Sequence, residues 1–199
     1  MLKQFFKFSF VLVLLSCLLA CSGANKKPEI VIEQTPKDAL PVLTDAEKQK
    51  YMEALGFMAE QAFDKAEVLF SELLKTQPKL TGAYVNLAVI KKHDKQVEQA
   101  ELLLSQALSI NPNFIEALLQ QALIYQDRGE FDKAEDLLRR AEAIAPDHPL
   151  VNYNLGVLYE LYLQDYPLAI KHYQRYVSVS KADDVETVQR WIMLLERKK

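Results

Sequence analysis

Cysteine is almost missing from this sequence. Of 199 residues only Cys17 and Cys21 are Cys. No disulfide framework and no thiol redox centre can be built from the remainder of the chain. Glycine is scarce as well: Gly23, Gly56, Gly82, Gly129 and Gly156 are the whole set, never clustered, so no Gly-rich loop is available to cradle a phosphate. His93, His148 and His172 have neither H-E-x-x-H spacing nor Cys partners, which argues against a metal centre. No G-x-S-x-G elbow occurs. The formal charge of −3 comes without the basic stripe of a nucleic-acid binder. Acid pairs such as Asp183-Asp184 fit helix starts better than acid–base machinery, and Lys91–Lys95 reads as a solvated helix end. The expectation is a protein that is not an enzyme, with no cofactor, no metal, no nucleic acid and no small-molecule substrate.

What remains is helix-forming material. With 50% hydrophobic and 26% charged residues, and so little Gly, the composition suits an all-helical fold better than a β-rich one. The length allows one domain or one short repeat array with a real core.

The first twenty residues stand apart. Lys3 and Lys7 precede a nearly pure apolar run, Phe8–Ala20, too short for a comfortable membrane span but suited to a signal peptide. The run ends in "LLAC", Leu18 to Cys21, which resembles the bacterial lipobox. That resemblance implies cleavage before Cys21 and acylation of its thiol and new amine. Ser22 stands where Asp would retain the protein at the inner membrane, so the same rule implies the periplasmic face of the outer membrane. An ordinary signal peptide, or an uncleaved anchor with an incidental Cys, is the plainer alternative. Losing Lys3 and Lys7 would leave 22 basic residues against 27 acidic, a net −5. Acyl chains, at about 0.8 kcal/mol per buried CH₂, would hold such a chain on a bilayer without a transmembrane helix.

Residues 21–43 then change character. "SGANKKPEIVIEQTPKDALPVL" carries three Pro, no aromatics and no helical period, and reads as an extended tether. Its reach is roughly 70 Å at about 3.3 Å per residue. Ile30–Ile32 is a small apolar island within it. Thr44, with Glu47 three residues on, has the capping-box pattern and opens the folded part.

Beyond Thr44 the chain repeats itself. "FDKAEVLFSELLKTQP" from Phe63, "VEQAELLLSQALSINP" from Val97 and "FDKAEDLLRRAEAIAP" from Phe131 share a period of 34. Ala66, Ala100 and Ala134 fall in register, as do Phe70, Leu104 and Leu138, and Pro78, Pro112 and Pro146. A fourth copy, "YPLAIKHYQRYV", has Ala169 displaced by one residue. First helices match through Tyr84, Leu87 and Ala88 and through Leu155-Gly156 with Tyr159, while Glu53 and Gln121 stand where Leu is expected.

This pattern resembles the tetratricopeptide repeat, a 34-residue helix–turn–helix unit with W-x₂-L-G-x₂-Y, then A-x₃-F, then P. The resemblance implies an all-α, right-handed solenoid. Small Ala residues let two antiparallel helices approach, large apolar residues fill the gap between units, and Pro ends each second helix. Each unit leaves an apolar face open, so units must stack. The expected order is a signal peptide (1–20), a lipidated Cys and tether (21–43), four repeats (44–80, 81–114, 115–148, 149–182) and a capping helix (183–199). Val185, Val188, Ile192 and Leu195 form the cap's apolar stripe, Asp183 with Glu186 a further capping-box pattern, and Trp191 its anchor. A docking helix for a partner is the alternative reading of that segment.

In this family the first helices line a concave groove, with repeat positions 2, 5, 9, 12 and 13 facing it. Carried over, position 5 holds Tyr51, Val85, Leu119 and Tyr153, and position 9 holds Leu55, Val89, Leu123 and Val157. Lys92, Gln126 and Glu160 at position 12 supply a thin polar edge. Members that clamp a C-terminal carboxylate use Lys and Asn at positions 5 and 9, and neither is present. The implied ligand is an apolar or amphipathic segment of a partner protein. Two readings stand beside it: positions 5 and 9 as half-buried core, or a groove filled by the chain's own Ile30–Ile32. Lipobox and repeats together resemble the tetratricopeptide lipoproteins that serve as pilotins or assembly factors for pili. A regulator of cell-wall enzymes or outer-membrane proteases uses the same architecture, and an enzyme subunit is the third class.

Overall fold

Thr44 starts the first helix as the sequence predicts. Its hydroxyl accepts the backbone N–H of Glu47 (3.2 Å), and the Glu47 carboxylate accepts the backbone N–H of Thr44 (2.9 Å). The same carboxylate accepts from Thr76 Oγ1 (3.0 Å) and Gln77 Nε2 (2.9 Å), tying the start of one helix to the end of the next. These bonds, the Thr44 backbone N–H first among them, hold the Glu47 carboxyl down at about 2.

The computed structural model describes residues 41–198; the signal sequence, Cys21 and the apolar strip Ile30–Ile32 lie outside them. Among the described residues there are nine α-helices and no strand. They are α1 (Asp45–Ala59), α2 (Phe63–Thr76), α3 (Thr81–His93), α4 (Val97–Ile110), α5 (Ile115–Asp127), α6 (Phe131–Ile144), α7 (Pro149–Val157), α8 (Tyr166–Val179) and α9 (Val185–Glu196). A π-helical turn, Leu158–Tyr162, continues α7. None of the described helices is long and apolar enough to cross a membrane.

The helices pack in the antiparallel pairs that the period implies: α1 with α2, α3 with α4, α5 with α6, and α7 with α8, each pair stacking on the next. Consecutive first helices also touch, α3 on α5 and α5 on α7. First helices therefore line the inner side of the stack and second helices the outer. Ala66, Ala100 and Ala134 are all 0% exposed, where the paired helices cross too closely for a larger side chain. Three apolar clusters follow one another along the stack. Phe70 and Leu73 centre the first, Leu104 and Phe114 the second, and Leu138, Leu155 and Tyr173 the third, which runs on into α9.

Each first helix ends in the same device. Gln61, Lys95 and Gly129 adopt positive φ (58°, 63° and 76°) at a spacing of 34. The backbone N–H groups of Ala62, Gln96 and Glu130 reach back to the carbonyls of Phe57, Lys91 and Tyr125. This is the Schellman closure, which satisfies carbonyls left over at a helix C-terminus. In the fourth repeat the left-handed residue is Gln164, and the Asp165 N–H reaches one residue further back, to Tyr159. The π turn absorbs that extra residue, which is why Ala169 falls one position late.

The cap departs from expectation in two details. The Asp183–Glu186 capping box does not form: Asp184 is the N-cap, and its carboxylate accepts the hydroxyl of Tyr176 rather than a helix N–H. Burial of Tyr176, with Asp184 beside it, pushes that phenol up to about 12. A helix that closes a solenoid needs a polar outer face, and that of α9 is not wholly polar, since Met193 and Leu194 are exposed. Val188, Ile192 and Leu195 are buried as the stripe predicts, and Trp191 packs beside Tyr153 and Tyr173 (centroids 6.3 and 5.8 Å).

Candidate functional site

The inner side of the stack is built from α1, α3, α5 and α7. Where α3 meets α5, Lys92 Nζ pairs with Asp127 Oδ2 at 2.8 Å across the exposed end of the seam. Val89 lies three residues before Lys92, and Leu123 four before Asp127, so both share the face on which the two helices meet. Val89, Leu123 and Val157 are half-buried, one from each of three successive first helices. They form an apolar row spanning the second, third and fourth repeats.

In the two middle repeats position 5 differs from position 9. Val85 and Leu119 are 2% and 4% exposed and belong to the core where α3, α5 and α7 meet. At the ends of the stack the order varies, with Leu55 at position 9 buried and Tyr51 and Tyr153 at position 5 half-buried. Gln126, expected at the polar edge, is also buried. The face left accessible on the inner side is correspondingly narrower than the sequence implies.

The remaining expected residues are held by specific partners. The Tyr51 ring packs edge-on against Phe70 (5.4 Å, 71°), and its hydroxyl accepts from Asn86 Nδ2 at 3.0 Å. Gly82 is buried beneath it: a Cβ there would stand 2.6 Å from the Tyr51 hydroxyl. Tyr153 packs against Tyr176 (5.3 Å) on the side facing the cap. Glu160 accepts the hydroxyl of Tyr173 at 2.8 Å, and burial of that phenol pushes its pKa far up.

Two features escape the sequence reading. One is the π turn, which leaves Leu161 and Tyr162 60% and 41% exposed, the Tyr162 ring resting on Phe131 (4.7 Å). Its only trace in the sequence is the late Ala169. The other is a hollow of about 450 Å³ on the outer side, lined by Glu142, Asn152, His172 and Arg175 among others. Asn152 Nδ2 donates to the carbonyls of Pro146 (2.7 Å) and His148 (3.1 Å), leaving its oxygen to accept from His172 Nδ1 at 3.3 Å. Burial pulls His172 down to about 4, against a smaller upward pull from Glu142, so the ring is neutral. Tyr159 stacks on it at 5.6 Å and gives its hydroxyl to Glu135, and its pKa is driven up mainly by burial. These groups hold the third repeat against the fourth. Among the described residues no group of three or more His, Cys, Asp or Glu is placed to hold a metal ion.

Two family models, both described as tetratricopeptide repeat, match residues 57–124 and 114–182. No curated protein matches the chain in sequence. Among solved structures, Pseudomonas aeruginosa pilF is similar at 18% identity and a TM-score of 0.67, over 77% of this chain and 70% of that one. Yeast Tom70 is similar at 17% identity and a TM-score of 0.67, over 77% of this chain but only 34% of its own length. A chain from the structure of Naa15/Naa10 bound to HypK-THB has 18% identity and a TM-score of 0.61, over 76% of this chain and 23% of that one. At such identities the likeness speaks to the fold alone.

Proposed function

The chain belongs to the tetratricopeptide repeat family, and from that premise we propose that it is a lipid-anchored periplasmic scaffold. On this reading Cys21 carries the lipid, the following tether lifts the repeats from the outer membrane, and the inner groove holds a segment of a partner protein. The fold supports the coarser part directly, since a repeat stack is a protein-interaction scaffold. The lipobox-like "LLAC" supports the finer part. Assembly of an envelope machine such as a pilus is the setting this architecture fits best, and regulation of cell-wall enzymes or outer-membrane proteases is the second reading. The role is one of positioning rather than catalysis.

The observation that carries this reading is the row of Val89, Leu123 and Val157, half-buried and in register on successive inner helices. An apolar row of that kind is kept in water where something uses it. The experiment is co-purification from envelope extract, with wild type against a Leu123→Glu, Val157→Glu double variant whose helicity matches wild type. The reading expects a protein retained by wild type and lost by the variant. Equal retention would remove the groove from the account.

A further inference from the structure

The helix that closes the stack is built as one more inner helix. α3 buries Ala83, Leu87 and Ile90 in the cluster that holds Ala66, Phe70 and Leu73 of α2. α7 buries Val151, Leu155 and, where its π turn begins, Leu158. α9 buries Val188, Ile192 and Leu195 at the same spacing, in the cluster that holds Ala169, Tyr173 and Tyr176 of α8. Trp191 then meets Tyr153 of α7 (centroids 6.3 Å), so α9 reaches its neighbouring inner helix as α3 reaches α5.

That register decides which side chains of α9 belong to the groove. Val89, Leu123 and Val157 each stand one residue before the last member of the buried set, Ile90, Ile124 and Leu158. In α9 that place is taken by Leu194, which is 55% exposed. Val85, Leu119 and Tyr153 stand four residues before the apolar row, and Lys92, Gln126 and Glu160 three after it. Their counterparts on α9 are Arg190 and Arg197. Met193, 54% exposed, holds instead the place of Ala88, Ala122 and Gly156, where a second helix crosses in a complete repeat. It lies off the groove.

The four residues one turn from Leu194 are Arg190, Trp191, Arg197 and Lys198. Three are bases. Arg190 donates to the Thr187 hydroxyl (3.0 Å) and Lys198 stands over the Tyr166 ring at 5.5 Å, both neutral partners. No ion pair among the described residues includes any of the three. The acids nearby lie elsewhere or are engaged. Asp183, Asp184 and Glu186 gather at the start of α9, roughly two to three turns from Leu194, and Glu196 stands one turn from Met193. α8 carries Lys171 and Arg175 and no acid. Glu160, the one acid of α7 and its π turn, takes the hydroxyl of Tyr173 at 2.8 Å. A helix C-terminus favours bases in its last turn, but Arg190 stands mid-helix, so that preference does not account for the set.

We infer that α9 is a fifth wall of the inner groove, and that the partner segment it meets carries an apolar side chain flanked by Asp or Glu. The apolar side chain sits on Leu194, and the carboxylates face Arg190 and Arg197. Charge complementarity carries this choice of occupant. The inference deepens the reading proposed above and rests on the groove being the binding surface.

The test uses the chain from residue 21, carrying Cys21→Ser, and three labelled peptides in fluorescence anisotropy. Two are blocked at both ends, share one amphipathic pattern of Leu and differ only in Glu or Lys at the polar positions. The third is residues 26–36, in which Lys26 and Lys27 balance Glu29 and Glu33. The Glu peptide is expected to bind about tenfold or more tightly than the Lys peptide, and to weaken as salt is added. Leu194→Ser, Arg190→Glu and Arg197→Glu should each weaken it several-fold, whereas Met193→Ser, one residue away, should leave it unchanged. Equal or reversed ranking of the Glu and Lys peptides, binding of neither, binding by 26–36 as tight as the Glu peptide, or an equal loss from Met193→Ser would each overturn the inference. Should the Leu123→Glu, Val157→Glu variant still lose a partner from envelope extract while the probes rank otherwise, only this inference falls.

Discussion

Gly156 offers the sharpest test of how the fourth repeat is packed. It is buried in α7, and a Cβ built on it would stand 2.4 Å from both Cδ1 and Cε1 of Tyr173 and 3.0 Å from Cγ. Ordinary carbon contacts are roughly 3.5–4.0 Å, so Gly156→Ala creates an overlap of about an ångström. The ring has nowhere to go. Tyr173 is 1% exposed, its hydroxyl is bonded to Glu160, and Tyr153 and Trp191 flank it. Overpacking of this kind costs about 1–3 kcal/mol. Ala recovers about 0.8–1.0 kcal/mol of helix propensity over Gly. An overlap this deep puts the cost near the upper end of that range, so the net expectation is a loss of about 2 kcal/mol, each kcal/mol lowering Tm by about 2–4 °C for a domain of this size. Gly56 is the control: it is exposed in α1 with nothing within 4 Å of its would-be Cβ, so Gly56→Ala should stabilise by about 0.5–1 kcal/mol. Thermal melts of both variants, of Tyr173→Leu and of Gly156→Ala with Tyr173→Leu close the cycle, and Gly156→Ala should cost less in the Tyr173→Leu background than in the wild type. A Gly156→Ala protein as stable as wild type, or less affected than Gly56→Ala, would refute the packing argument.

Two further outcomes follow from named residues. Cys21→Ser should release the protein from the outer-membrane fraction or block its processing; unchanged fractionation, with no labelled fatty acid on the wild type, would remove the anchor. His172 should give the fold an acid-sensitive window. Its folded pKa of about 4 lies below the ordinary 6.5, so between these values the unfolded chain takes up a proton that the folded chain refuses. This contribution is complete above pH 6.5 and falls away towards pH 4, by about 3 kcal/mol at most. His172→Gln should flatten that window, and an unchanged slope would contradict it. Glu47, whose carboxyl is depressed from 4.5 to about 2, acts in a lower range and leaves the window distinct.

The repeats were legible because packing repeats itself. Ala66, Ala100 and Ala134 are small for one reason, and a period of 34 reports it three times. The closures at Gln61, Lys95 and Gly129 were not legible, since only one of them is the Gly that positive φ favours. Val85 and Val89 look alike in sequence. They part company because the α3–α5 seam covers the first and leaves the second at its edge, a distinction that exists only once neighbouring helices are placed. The capping box expected at Asp183 failed because the helix begins one residue later: Asp184 is the N-cap, Glu186 therefore falls at the second helical position, and the Asp184 carboxylate takes the hydroxyl of Tyr176. The π turn was written only as a displaced Ala169, and its consequence, an exposed Leu161, depends on how the extra residue is absorbed.

The groove itself can be interrogated in place. A photo-crosslinking residue at Leu123, half-buried on α5, is compared in intact cells with one at Ser105, exposed on the outer helix α4. The account predicts a covalent adduct with another protein from position 123 and none from position 105. No adduct from 123, or equal adducts from both, would contradict it.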